Sequence, residues 1–150
     1  MSPRLTTGLL TLAAAAVGTL GTKPDSAWYR ALRKPSWQPP AVAFPLVWTP
    51  LYAAIAWSTG RAAAAEEERR GRYLALTGAN LAVNAGWCWA FFTARSPRGG
   101  LATIAVLDAL NLALLRETVR RDPAAAAALA PYVAWTGFAT ALNAAHVRLN

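Results

Sequence analysis

The sequence holds one cysteine, one histidine and one methionine among its 150 residues. Cys88 alone, inside an apolar run, excludes an internal disulfide and a cysteine-based metal cluster, and leaves the redox state of the compartment unread. With His146 the sole histidine there is no HExxH and no His–Cys pair; GxSxG and a phosphate-cradling glycine loop are also missing. No metal, no obligatory cofactor and no hydrolytic centre are expected. Charge is scarce too: Asp, Glu, Lys and Arg make up 15% of the chain, and only seven residues are acidic. They are bunched, which leaves apolar runs longer than a soluble domain of this size would bury. Those runs are expected to face lipid.

The net charge is +8, but the fifteen Lys and Arg lie at segment ends rather than on one basic face. That distribution suits membrane headgroups and argues against nucleic acid. A bilayer is crossed by roughly 20 apolar residues per helix, so a chain of this length accommodates about five spans. The reading is an all-α, multi-pass integral membrane bundle of five transmembrane helices forming a single domain, with spans at about 5–22, 44–64, 73–94, 101–119 and 124–149. Arg4 before an apolar stretch also fits a signal peptide, but no small-residue cleavage site precedes Lys23, so a retained helix is expected. Eight Lys and Arg fall to the amino-terminal side and seven to the other, so their count assigns no orientation.

Two helices carry unusual polar groups. In the third span Asn80, Asn84, Trp87 and Phe91 share a stripe, while Ala75, Gly78, Ala82 and Ala85 form the opposite, small-residue stripe, a candidate homodimer surface. Amides are costly in hydrocarbon unless partnered, so Asn80 and Asn84 are expected to point inward, either toward a ligand or as interhelical staples. Asp108 lies mid-span in the fourth helix with Asn111 beside it, and His146 is the one titratable partner available to it. In the second span Trp48, Tyr52, Ile55 and Thr59 share a face, with Pro50 expected to kink the helix; in the fifth, Trp135, Ala139, Leu142 and His146 do so, with Asn143 at the edge. Glu66 to Arg72 reads as a solvated turn.

Between the first two long segments lies WYRALRKPSWQPP, Trp28 to Pro40. Asp25 or Ser26 caps a short helix bearing Trp28 and Leu32, and Pro35, Pro39 and Pro40 prevent its continuation. The result is a stiff connection presenting Trp28, Tyr29 and Trp37, rings equally suited to an interfacial belt or to the mouth of a cavity. Five helices directing Trp48, Tyr52, Asn84, Trp87, Asp108, Asn111 and Trp135 inward would enclose an aromatic pocket for a flat apolar ligand, with that loop as its lid.

Trp28-Tyr29, Leu32, Lys34-Pro35, Trp37 and Pro39-Pro40, then Phe44, Trp48 and Leu51-Tyr52, then Asn84, Trp87 and Phe91-Phe92, and finally Pro131-Tyr132, Ala134-Trp135, Phe138-Ala139 and Leu142-Asn143 form an ordered series. This series resembles the TspO/MBR family of tryptophan-rich sensory and translocator proteins, across nearly the whole chain. The resemblance implies tetrapyrrole ligands such as protoporphyrin or haem, with Trp48 and Asn84 meeting a ligand carbonyl or carboxylate and Trp135 and Ala139 forming the facing wall. Arg30, Arg33 or Lys34 would pair with propionates at the mouth. Some relatives carry a sterol motif needing a Tyr between Leu and a cation; here Leu142 and Arg148 lack that Tyr, so sterol binding is not expected. Two function classes stand open: a porphyrin-binding sensor or transporter, and a light- and oxygen-dependent porphyrin-degrading enzyme using Trp48 and Trp135 as redox partners. A scaffold without a ligand is the third. Alanine- and arginine-rich usage and short tails point, by analogy, to a bacterial cytoplasmic membrane.

Overall fold

A computed structural model describes residues 1–150, and every regular element in it is helical. The order is α1 (Pro3–Gly21), α2 (Ala27–Ala31), α3 (Ala43–Ala65), α4 (Arg70–Cys88) continued by a π-helical turn (Trp89–Thr93), α5 (Pro97–Arg121) and α6 (Pro123–Leu149). Local chemistry sets most of the starts. Ser2, Ser26, Ser96 and Asp122 each accept backbone N–H groups at a helix start, and Pro3, Pro97 and Pro123 occupy first-turn positions where no N–H is needed. Of the two candidates for capping α2, it is Ser26 that accepts from Tyr29.

α1, α5 and α6 are each long and apolar enough to cross a membrane. α3 and α4 have 23 and 19 residues but are diluted by Pro45, Pro50 and Ser58, and by Arg72, Asn80 and Asn84. Around the bundle the long helices follow one another as α1, α3, α6, α5, α4 and back to α1, and α3 also meets α4 and α5 across the middle. One end gathers the start of α1, the α3–α4 turn and the α5–α6 turn, tied by Arg61 to Asp122 and by Arg121 to Glu66. At the other end the α1–α3 connection meets the carboxyl terminus, where Arg33 and Asn150 exchange two backbone–side-chain hydrogen bonds.

The polarity of the bundle is inverted relative to a soluble domain. Leu5, Leu9, Leu12, Val17 and Leu20 of α1, and Val106, Leu112 and Val119 of α5, are exposed, while Thr7, Thr11, Thr59, Thr77, Asn80, Asn111 and Asn143 are buried. Such an apolar exterior has a stable environment only in lipid. The small-residue stripe of α4 does not stay together. Ala75 and Ala82 face outward, but Ala85 is buried at the α1 contact, its Cα 3.7 Å from where a Cβ on Gly18 would stand. A helix turns 100° per residue, so positions 75 to 85 drift around the axis and the last of them reaches a neighbour within the chain.

At mid-depth a series of polar side chains satisfy one another. The Tyr52 hydroxyl donates to Asn84 Oδ1 (3.1 Å), Asn84 Nδ2 donates to the Tyr132 hydroxyl (3.0 Å), and that hydroxyl donates to Asn80 Oδ1 (3.0 Å). Asn80 Nδ2 then donates to Asn111 Oδ1 (2.6 Å), and Asn111 Nδ2 to Thr136 Oγ1 (2.7 Å). The chain links α3, α4, α5 and α6, with every amide oriented in one direction. Its hub is Tyr132, fully buried and both donor and acceptor. Tyr132→Phe should destabilise the bundle by about 2 kcal/mol, because Asn80 and Asn84 each lose a partner where no water replaces it; an unchanged thermal midpoint in detergent would contradict the assignment.

Asp122 has a local role that can be tested by pH. Its carboxylate is held below the usual range first by the Ala125 N–H and then by Arg61. The charged cap is therefore complete above about pH 4, the ordinary carboxylate value, and is lost only as pH falls through the depressed folded value. Asp122→Ala is expected to lower the thermal midpoint at neutral pH and to narrow the gap from wild type in acid, while Asp122→Asn, which keeps an acceptor, recovers part of the loss.

Candidate functional site

The aromatic residues near the loop end form two clusters rather than one pocket. The first lies between α3, α6 and the proline-rich connection. Trp48 packs on Tyr52 (ring centroids 5.3 Å apart) and edge-on to Tyr132 (6.1 Å). Phe44 meets Trp135 at 6.1 Å, Trp135 meets Phe138 at 5.2 Å, and Phe138 meets Trp37 at 5.8 Å. Trp48, Tyr52, Trp135 and Ala139 are half-buried, and Trp37 is 48% exposed. The indole N–H groups of Trp48 and Trp135 make no hydrogen bond within the chain, as is also true of Trp37 and Trp28, whereas the Tyr52 and Asn84 side chains and the Trp87 indole are paired. Unpaired donors on partly covered rings are free to meet an acceptor on a ligand.

The second cluster lies between α2, the π-helical turn and α6. Trp87 stacks on Phe91 (5.2 Å, interplanar 22°), Trp28 meets Phe91 edge-on at 5.7 Å, and Tyr29 packs on Phe92 at 5.0 Å. The widened π turn sets Phe91 and Phe92 side by side at 5.0 Å, 72° apart, so that both face the connection. Trp87 Nε1 donates to Asn143 Oδ1 (2.9 Å), and Asn143 Nδ2 donates to the Pro97 carbonyl (2.7 Å). Gly100 makes this corner possible: a Cβ there would stand 2.8 Å from Asn143 Oδ1 and 2.9 Å from Phe91.

Gln38 joins the loop to both sides. Its Nε2 donates to the Tyr29 hydroxyl (3.2 Å), and its Oε1 accepts from His146 Nε2 (2.9 Å). His146 is buried between Tyr29 and Phe91, at 6.5 and 5.6 Å. Burial pushes the Tyr29 hydroxyl above its ordinary value, with the Gln38 bond acting in the opposite direction, so it is a neutral phenol across the physiological range. Lys34 bends over the Tyr29 ring at 4.6 Å and donates to the Tyr29 and Leu32 carbonyls. A concavity of about 460 Å3 beside the proline-rich connection is lined by Pro35, Ser36, Trp37, Ala145, Arg148 and Leu149.

The single enclosed pocket expected from the sequence is therefore divided. Trp37, Trp48, Tyr52, Trp135 and Ala139 gather on one side, with Asn84 and Asn111 behind them; Trp28, Tyr29, Trp87 and Asn143 gather on the other. Asn84, Asn111 and Asn143 already use their amides within the protein, because four helices bring complementary groups into contact at the same depth. Asp108 does not meet His146. Half-buried, it accepts from Thr140 Oγ1 at 2.6 Å on α6, while the histidine is taken by Gln38. The sequence pattern alone does not assign Tyr132, Gln38 or Phe138 to the site. Tyr132 stands beside Pro131 in the motif series, but its role as hub depends on the meeting of α4, α5 and α6.

Comparison with known proteins agrees with this arrangement of motifs. The sequence profile described as "TspO/MBR family" matches residues 7–148. The chain is similar to a "Tryptophan-rich sensory protein" of Cereibacter sphaeroides, with 37% identity over 128 residues, 85% of this chain and 79% of that one. It is similar to the "Tryptophan-rich protein TspO" of Chlorobaculum tepidum, with 35% identity over 147 residues, 95% of this chain and 92% of the relative. Its likeness to the human "Translocator protein" is 33% over 119 residues, 77% of this chain and 70% of the other. Lipid-facing helices, the loop packed on aromatic clusters and a profile match over nearly the full length together make this chain a membrane protein of the TspO/MBR family.

Proposed function

We propose that the protein binds a flat, largely apolar ligand carrying a carbonyl or carboxylate, of the tetrapyrrole class such as protoporphyrin or haem, against the half-buried aromatic face between α3 and α6. The observation that carries this reading is the pair of half-buried indoles, Trp48 on α3 and Trp135 on α6, which stand on facing helices among Phe44, Tyr52 and Phe138 with their N–H groups unbonded in the chain. The two indoles give stacking area, and their donors give orientation. Trp37 and Ala139 extend the wall. Lys34 is engaged at Tyr29, so Arg30 and Arg33 are the cations left to meet propionates at the mouth.

The names of the relatives support sensing or transport as the purpose of that binding: one is a sensory protein, another a translocator protein. In the same reading the five long helices are five passes through a bacterial cytoplasmic membrane, and the outward Ala75–Gly78–Ala82 surface of α4 packs on a second copy. A second reading rests on Trp48, which lies against two tyrosines at 5.3 and 6.1 Å. Contiguous oxidisable rings would let an excited porphyrin exchange an electron with the protein, with dioxygen as the terminal oxidant.

Titration of the detergent-purified protein with protoporphyrin in darkness should give saturable tryptophan quenching, weakened about tenfold, or 1.4 kcal/mol, by Trp48→Ala or Trp135→Ala. Trp28→Ala, in the other cluster, should leave affinity near wild type. A strong effect of Trp28→Ala with none from Trp48→Ala would move the site to the second cluster, and the absence of saturation would refute the ligand class. Under light and oxygen, an unchanged porphyrin spectrum supports binding alone; loss of the porphyrin band, blocked by Trp48→Phe with affinity retained, supports the enzyme.

A further inference from the structure

A second concavity lies at the opposite end of the bundle, where the start of α1 crosses the last turns of α3. Gly60 allows that crossing: a Cβ there would stand 2.8 Å from Thr7 Oγ1 and 3.0 Å from Arg4 Cα. Thr7 Oγ1 reaches the Ala56 carbonyl at 3.2 Å and locks the two helices together. Just outside the crossing, Arg4, Ala53, Ala56, Trp57 and Arg61 line a groove of about 460 Å3. Ala53, Ala56 and Trp57 fall at i, i+3 and i+4 on α3, so two methyl groups form its floor and an indole its side.

The charges at its head are unevenly used. Arg61 donates through Nε to Asp122 and lies over the Trp57 ring at 5.3 Å, while its terminal NH2 groups make no other hydrogen bond in the chain. Arg4 is exposed and makes neither an ion pair nor a side-chain hydrogen bond. With Asp122 counted, two guanidiniums against one carboxylate leave a net single positive charge, which matches one phosphodiester. Both arginines stand within a turn or so of a helix end, and Trp57 is 50% exposed on the lipid side. Cations, an interfacial indole and a shallow apolar trough running toward mid-membrane form one amphiphilic surface.

We infer that this groove holds an anionic phospholipid, its phosphate between Arg4 and Arg61 and the upper part of an acyl chain along Ala53 and Ala56. The site is separate from the α3–α6 aromatic face and does not depend on what that face binds. It also explains why α3, diluted by polar residues, keeps Trp57 on its outer face. Bound lipid bridges α1 and α3 at the end where the α5–α6 turn docks through Asp122.

The test is native mass spectrometry of the full-length protein in a non-ionic detergent, titrated with phosphatidylglycerol and with phosphatidylcholine of the same acyl chains. Tighter retention of phosphatidylglycerol is expected, with Arg4→Gln reducing that preference about fivefold, the weight of one cation near a bilayer surface. The Arg4→Gln protein should keep the wild-type thermal midpoint, since Arg4 holds no partner in the chain. Arg98→Gln, an exposed arginine at the other end, should keep the preference. Ala53→Leu should weaken both lipids by filling the trough. Equal retention of the two lipids, an equal effect of Arg98→Gln, or unchanged binding by Ala53→Leu would each overturn the proposal. So would displacement of phosphatidylglycerol by millimolar inorganic phosphate, which would make the groove a site for the free anion.

Discussion

Hydrocarbon offers no hydrogen-bond partner, and the arrangement of this bundle follows from that constraint. Three asparagines at mid-depth would be prohibitive separately. Placed on α4 and α5 opposite Tyr52 of α3 and Tyr132 and Thr136 of α6, they satisfy one another in a directed chain. That chain determines which helix faces meet. The apolar residues, free of any such demand, are left to line the exterior, and the long helices follow the order that lets every amide reach its partner.

Positioning of the candidate site is a consequence of the same chain. Tyr132 is held from both sides by Asn80 and Asn84, so its ring is a fixed wall for Trp48. Trp135 sits three residues further along α6 and faces the same way, toward Phe44 and the loop. The connection is in turn stiff by its prolines and anchored at Gln38, Arg33 and Trp37. The unbonded indole N–H groups of Trp48 and Trp135 and the partly open aromatic face around them are what a ligand would use. At the far end the same accounting leaves Arg4 and part of Arg61 unpaired above an apolar trough. The two proposed sites thus differ in chemistry: one would take flat rings, the other a phosphate on an acyl chain.

Several features are legible in the amino-acid sequence. The helical class, a cap at Asp25 or Ser26 before Trp28, the inward direction of Asn80 and Asn84, and the proline-bounded loop all depend on properties of a few neighbouring residues. The division of the expected pocket into two clusters is not legible there, nor is the assignment of Asp108 to Thr140 and of His146 to Gln38. Those depend on which rotamer faces which helix. Nothing in a periodicity pattern says that a π turn after Cys88 will rotate Phe91 and Phe92 toward Tyr29, or that Ala85 will be buried against α1 while Ala82 stays outside.

By itself, then, the sequence determined the solvent in which this protein folds, the number of long helices and the presence of a proline-bounded aromatic loop, because hydropathy and proline geometry act over one turn or one segment, while α4 and α5 begin at Arg70 and Pro97, three or four residues before the apolar runs do. Only the tertiary structure decided which polar groups are consumed by the protein and which remain free. Hydrogen bonds between Tyr52, Asn84, Tyr132, Asn80 and Asn111 join residues between 31 and 52 positions apart, and such pairings exist only after four helices have found a common depth and rotation.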